Sequence, residues 1–276
     1  MIYLLLIYLL FYYSRPFMII ITGASQNHAY SLLQLIQSFL LFYTDKPSYT
    51  LIVYDLGFNS GTISAFHTMF SQHKNIIFET FDYSLCPAFF NINIAAGEYA
   101  WKPVIFYNEY IKRICYETWN ETLIWMDAGN KILGPLDGLD TVIKSIGIYS
   151  EYSAGNLADW THPDAIVALG VAGYMGEINK NTACFGVYRN YSPHIVDEFV
   201  KDFCFGAYRR EMIAPIGSSR ANHRQDQALF TCLFYKYKVK YGLANVNYYD
   251  DKTHTYGPMN YAIQQDCEAG SEADGV

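Results

Sequence analysis

The residues best placed to do chemistry close an apolar run. Leu123-Ile124-Trp125-Met126 ends in Asp127, and Ala128, Gly129 and Asn130 follow. A buried strand that finishes on an acid delivers its carboxylate to the carboxyl edge of a sheet, where α/β folds take their ligands. The small residues behind it let a bulky, charged ligand approach the backbone. Two other segments carry matching chemistry. Tyr99-Ala100-Trp101-Lys102-Pro103 sets a lysine at a helix start, where exposed N–H groups and the helix dipole attract anions. Arg224-Gln225-Asp226-Gln227 puts a carboxylate in the first turn of a later helix, just after Arg220 and His223. Arg220, His223 and Arg224 together are suited to clamping a phosphate. Each residue also has a plain structural reading: Asp127 as a turn cap, Lys102 as a solvated lysine, Asp226 as a helix N-terminal acid.

The elements that must position these residues follow from the apolar pattern. Residues 17–21 form a short Ile-rich strand that leads into Thr22-Gly23-Ala24-Ser25, read as a tight loop. Residues 29–43 read as a helix, because Ser31, Gln34 and Ser38 recur on one narrow face. Residues 50–54 form a second strand ending at Asp55, residues 63–72 a helix, and residues 75–78 a third strand. Pro103 suits a helix's first turn, and that helix runs to about residue 119. Residues 122–126 are the strand that ends at Asp127. Strands alternating with helices at this spacing predict βαβ units and a mostly parallel sheet.

The second half is less regular. Residues 137–146 read as a short helix, 182–188 as a strand, and 193–205 and 226–237 as helices. Residues 153–176 contain Asp159-Trp160-Thr161-His162-Pro163 and have the composition of a functional loop, with Asp159 and His162 as site candidates that each also have a structural reading. Residues 212–222 read as a mobile loop. No internal repeat is present. The domain plan is an apolar segment over residues 1–16, one domain over 17–263, and an acidic, fraying tail over 264–276.

Composition narrows the function. The 276 residues are 51% hydrophobic and 16% charged, as expected of a globular chain. A net charge of −7 argues against nucleic acid as the main partner. The six cysteines are scattered and form no CxxC pair, which excludes the usual zinc and disulfide frameworks. Asn120 and Asn190 begin sequons that matter only in a secretory lumen. Residues 1–13 are almost wholly apolar, but thirteen helical residues reach only about 20 Å, short of the roughly 30 Å hydrocarbon core. A short membrane anchor, an uncleaved signal or a segment packed on the domain all fit, and localisation stays open between the secretory pathway and the cytoplasm. No GxSxG elbow, Walker loop, HExxH or GxGxxG occurs, so hydrolase, NTPase and dinucleotide-oxidoreductase readings lose their usual support.

Taken in order, Tyr99–Pro103, Asp127-Ala128-Gly129 and Arg224–Gln227 resemble the nucleotide-sugar-binding core of GT-A glycosyltransferases, over roughly residues 17–240. The resemblance implies a GT-A-like, Rossmann-type α/β domain that moves a sugar from a UDP- or GDP-linked donor to a hydroxyl acceptor on a glycan, protein or lipid. In that family an acidic motif, usually Asp-x-Asp, holds Mn²⁺ or Mg²⁺ against the diphosphate. Here Asp127 fits the first position and Gly129 replaces the second acid. By the same resemblance Thr22, Gly23 and Asp55 would hold base and ribose, and Asn130, Lys102 and Arg224 would hold the diphosphate. Asp226 would act as general base, and His254 as a late metal ligand. A fold that kept the nucleotide-sugar or glycan site but lost activity is the rival reading, and a membrane-bound scaffold is a third.

Overall fold

The computed structural model describes residues 17–114, 119–250, 252–257 and 262–265. The apolar segment over residues 1–16 and the end of the chain from 266 lie outside the described residues. Among the described residues, no helix is long and apolar enough to cross a membrane.

The strands are β1 (Met18–Ala24), β2 (Tyr49–Asp55), β3 (Ile76–Thr80), β4 (Thr122–Met126), β5 (Lys131–Ile132), β6 (Ile148–Asn156), β7 (Ile178–Val187), β8 (Thr255–Tyr256) and β9 (Ile263–Gln264). The helices are α1 (Ala29–Tyr43), α2 (Ser60–Phe70), α3 (Trp101–Ile114), α4 (Asp137–Ile146), α5 (Leu157–Trp160), α6 (Pro163–Leu169), α7 (Pro193–Ala207), α8 (Arg210–Ile213) and α9 (Gln225–Tyr241). Six strands form one sheet in the order β3-β2-β1-β4-β7-β6, and β5-β9-β8 form a small second sheet.

The four strands read from the apolar pattern are neighbours. β1 pairs in parallel with β2 and β4, and β2 with β3. All seven residues of β1 are buried, the signature of a central strand covered on both faces. On one face α1 packs Leu32, Leu35, Ile36 and Phe39 against Ile20, Val53 and Ile124. On the other, α3, α7 and α9 bring Val104, Phe106, Phe199, Phe203 and Phe230 onto Trp125 and Phe185. Helix α9 is apolar on most sides because it lies under α7 and over β7, so no polar face is called for.

The structure departs from the sequence reading in four places. Thr22, Gly23 and Ala24 continue β1 instead of forming a loop. Residues 153–176 are more regular than their Gly and Ala content suggested, holding the end of β6 and helices α5 and α6. Strand β6 was not visible because its burial is not continuous: its second half turns outward, and bulges interrupt its pairing with β7. Finally, Gln264 and Gln265, assigned by composition to the tail, belong to β9 and to the wall of the main cleft.

The polar stripe of α1 is not a solvated face. Ser38 is buried; its hydroxyl donates to the Leu35 carbonyl at 2.8 Å and accepts the Ile132 N–H at 3.0 Å. That bond ties β5, the strand just beyond the Asp127 turn, to helix α1. Ser38→Ala strands the Ile132 N–H in the core and is expected to lower unfolding stability by about 1–3 kcal/mol. Denaturant unfolding checks this, and an unchanged midpoint contradicts it.

Candidate active site

Register explains how the cleft is assembled. β4 and β7 run antiparallel with Met126 opposite Cys184, so the carboxyl end of β4 meets the middle of β7. Asp127 N–H then donates to the Ala183 carbonyl at 2.8 Å. Buried Asn130 fastens the turn from the other side, donating to the carbonyls of Asp127 at 3.0 Å and Ala183 at 2.8 Å. Asn130 therefore fixes the turn while also lining the cleft.

A cavity of about 880 Å³ opens at this edge. Its floor and walls come from Gly23 of β1, Lys102 of α3, Asp127 and Gly129 after β4, Thr182 of β7, and Arg224 and Asp226 around the start of α9. Drug-sized ligands occupy clefts of roughly 300–1,000 Å³.

Three residues singled out from distant parts of the sequence meet here. Lys102 Nζ lies 2.9 Å from Asp127 Oδ1 and 2.7 Å from Asp226 Oδ2, and donates to the Thr182 carbonyl at 3.4 Å. The lysine side chain is only 2% exposed and Asp226 8%, whereas Asp127 is 38% exposed. Burial opposes the ammonium, but Asp127 and Asp226 outweigh it and raise the lysine's pKa. Burial raises Asp226 above the ordinary carboxylate range against the pull of Lys102. Trp125 donates its indole N–H to Asp127 Oδ1 at 2.6 Å, and Lys102 also sits over the Trp125 ring. A solvated lysine, a simple turn cap and a simple helix acid do not describe these three groups.

The approach to Lys102 is strained. Ala95 to Tyr99 all have positive φ, between 46° and 63°, a left-handed turn immediately before α3. Only one of the five is glycine, and each L-residue there costs roughly 1–2 kcal/mol. Gly97 is required: a Cβ there would sit 2.4 Å from the Phe90 carbonyl oxygen. The Trp101 indole bonds the Ala96 carbonyl at 3.0 Å and holds the turn shut. Strain of this kind persists where the surroundings over-determine it, commonly at ligand sites.

The start of α9 is held by His223. This buried imidazole accepts the His162 N–H at Nδ1 (3.2 Å) and reaches the Ile213 carbonyl from Nε2 (3.0 Å), which fixes its neutral tautomer. Its neighbour Arg224 is half-buried, with its guanidinium stacked 3.9 Å over Trp160. Arg220 lies across the cleft mouth beside Tyr99, Nη1 to hydroxyl 3.3 Å. Trp160 and Trp125 are supporting residues that composition could not distinguish from core aromatics.

Other residues singled out from the sequence stand elsewhere. Thr22 is fully buried inside β1, one residue short of the cleft. Asp55 spends its carboxylate on the turn after β2, accepting the N–H groups of Gly57 and Phe58 at 2.7 Å each. Neither lines the cavity that holds Lys102 and Asp127. His254 sits before β8, its Nδ1 3.2 Å from the Tyr249 hydroxyl, and does not line the cavity. Asp159 caps the start of α5 by accepting the Asn156 N–H, and His162 caps α6 by accepting the Asp164 N–H. Cys184, Cys204 and Cys232 are buried in the core.

A divalent cation does not fit this donor set. Among the described residues, no group of three or more His, Cys, Asp or Glu side chains is gathered to hold a metal ion. The carboxylates of Asp127 and Asp226 are bridged by an ammonium instead.

No known protein-family profile matches the chain, and no curated protein matches it in sequence. Its fold does match solved structures. A complex of the galactosyltransferase LgtC with donor and acceptor sugar analogues superposes with a TM-score of 0.54 at 17% identity, covering 91% of this chain and 87% of that one. An active-site mutant of LgtC gives 0.53 at 17% identity over 91% and 88%. The bifunctional glycosyltransferase WbbM gives 0.50 at 12% identity, with 79% of this chain spanning 37% of that one. The fold is thus the GT-A type: a mostly parallel six-stranded sheet flanked by helices.

His223 yields a pH test of the α9 start. Burial first, then the charge of His162, take its pKa from 6.5 down to about 4 against the Ile213 bond. The unfolded chain therefore binds this proton first, so stability falls as pH drops from 6.5 toward 4, by roughly 3 kcal/mol at most. His223→Gln is expected to flatten that acid limb in pH-dependent unfolding. An identical limb in the variant contradicts the assignment.

Proposed function

We propose that this chain transfers a sugar from a nucleoside-diphosphate donor to a hydroxyl acceptor. The observation that carries the reading is the convergence of Lys102, Asp127 and Asp226 in one large cleft at the carboxyl edge of a GT-A sheet. In this reading the nucleotide lies along the end of β1 at Gly23, and the diphosphate faces Arg224 and the turn at Gly129 and Asn130. The sugar points toward Asp127, whose carboxylate is the more exposed of the two.

Asp226 takes the general-base role. The acceptor O–H gives its proton to this carboxylate while its oxygen forms the new bond to the sugar carbon. The bond from that carbon to the diphosphate oxygen breaks, and the electron pair leaves with the diphosphate. Burial makes Asp226 a stronger base than an exposed carboxylate, and Lys102 holds it in place. The strain at residues 95–99 fits a site set in advance for its ligand.

A second reading has its own support. With Gly129 in place of an acid and both carboxylates tied to Lys102, a binder of nucleotide sugars without turnover also fits this cleft. One variant separates the two. Asp226→Asn keeps the shape but cannot take the proton, so turnover is expected to fall about 10²–10⁴-fold with donor affinity near wild type. Wild-type protein that binds donor but neither transfers nor hydrolyses it, over a broad acceptor panel, supports the inactive binder.

A further inference from the structure

The charge pattern of the cleft says how a diphosphate would be neutralised. A hard divalent cation takes several oxygen ligands at roughly 2.0–2.6 Å. Here Asp127 Oδ1 already receives the Trp125 indole at 2.6 Å and the Lys102 ammonium at 2.9 Å, and the same ammonium lies 2.7 Å from Asp226. Position 129, two residues on, has no side chain to add. An ammonium thus stands between the carboxylates, where it is buried and braced by the Thr182 carbonyl.

The positive charge turned toward the cavity comes from guanidinium groups. Arg224 is oriented by its stack on Trp160, and Arg220 by the Tyr99 hydroxyl and ring. Both line the cavity, and burial and the neighbouring charge of Arg220 both depress the pKa of Arg224, so the two guanidiniums feel each other. An anion lying between them relieves that repulsion. Planar, always-charged guanidinium forks match phosphate oxygens two at a time.

We propose that this cleft binds a nucleoside diphosphate without a divalent cation: Lys102 takes the cation's place between Asp127 and Asp226, and Arg220 and Arg224 neutralise the diphosphate. The proposal rests on the reading of the cleft as a donor site.

Calorimetry of the full chain with UDP, GDP, ADP, CDP and dTDP, each in EDTA and in Mn²⁺, tests it. At least one nucleotide is expected to bind equally in the two media, within about threefold. Arg220→Gln and Arg224→Gln are each expected to weaken that binding about tenfold or more, and rising salt to weaken it further. Lys102→Met, which leaves two carboxylates without their ammonium, is expected to acquire a Mn²⁺ response. If that variant does not fold, the two arginine variants and the wild-type comparison still decide the matter. Binding tightened tenfold or more by Mn²⁺ in the wild type overturns cation-free recognition and leaves the donor-site reading standing. Binding that is cation-free yet unaffected in both arginine variants overturns the arginine clamp. No binding of any nucleotide in either medium overturns the donor site itself.

Discussion

The buried ammonium of Lys102 is the constraint on which the functional edge of this fold depends. It joins α3, the end of β4 and the start of α9, bringing together residues 102, 127 and 226 of the chain. Removing one partner of a buried ion pair leaves an uncompensated charge and commonly costs about 3–5 kcal/mol, far more than an exposed pair contributes. The same contact decides the site's chemistry. It leaves Asp127 the more exposed carboxylate, holds Asp226 in the cleft wall, and sets an ammonium between the two.

The remaining features serve that contact. The antiparallel entry of β7 brings Thr182 and Ala183 to the edge where β4 ends, so the Asp127 turn is hydrogen-bonded to a rigid strand. The left-handed turn over residues 95–99 fixes where α3 begins, and hence where Lys102 stands. His223 sets the entry of α9 through two hydrogen bonds that require its neutral form. Behind the cleft, aromatic rings from α7 and α9 close around Phe185, leaving the polar groups at the edge as the part of β7 open to a ligand.

Much of this was legible in the sequence, for a physical reason. Buried parallel strands must be continuous apolar runs, so β1, β2 and β4 stood out, the short apolar start of edge strand β3 was also legible, and their adjacency followed from the helices between them. Asp127, Lys102 and Asp226 were legible as strand-end and helix-start residues. That they bond to one another was not, because sequence spacing carries no information on side chains that meet across a cleft. Lys102 read as a phosphate-binding charge, yet its ammonium is committed to two carboxylates. Asp55 read as a ribose ligand from its place at a strand end, but its own turn claims the carboxylate. The β6 strand was hidden by bulges and an exposed second half, which break the period-two signal that reveals strands.

The central claim is that a nucleotide sugar sits at this edge, and hydrogen exchange resolved along the chain tests it most directly. Full-length protein, alone and with saturating UDP- or GDP-sugars, would be followed by mass spectrometry. At least one sugar nucleotide is expected to slow exchange in the segments around 95–102, 127–130 and 220–227 together, since all three form the walls of one cleft. Protection confined to another surface, or none with any donor in a panel that includes both bases, would contradict the account.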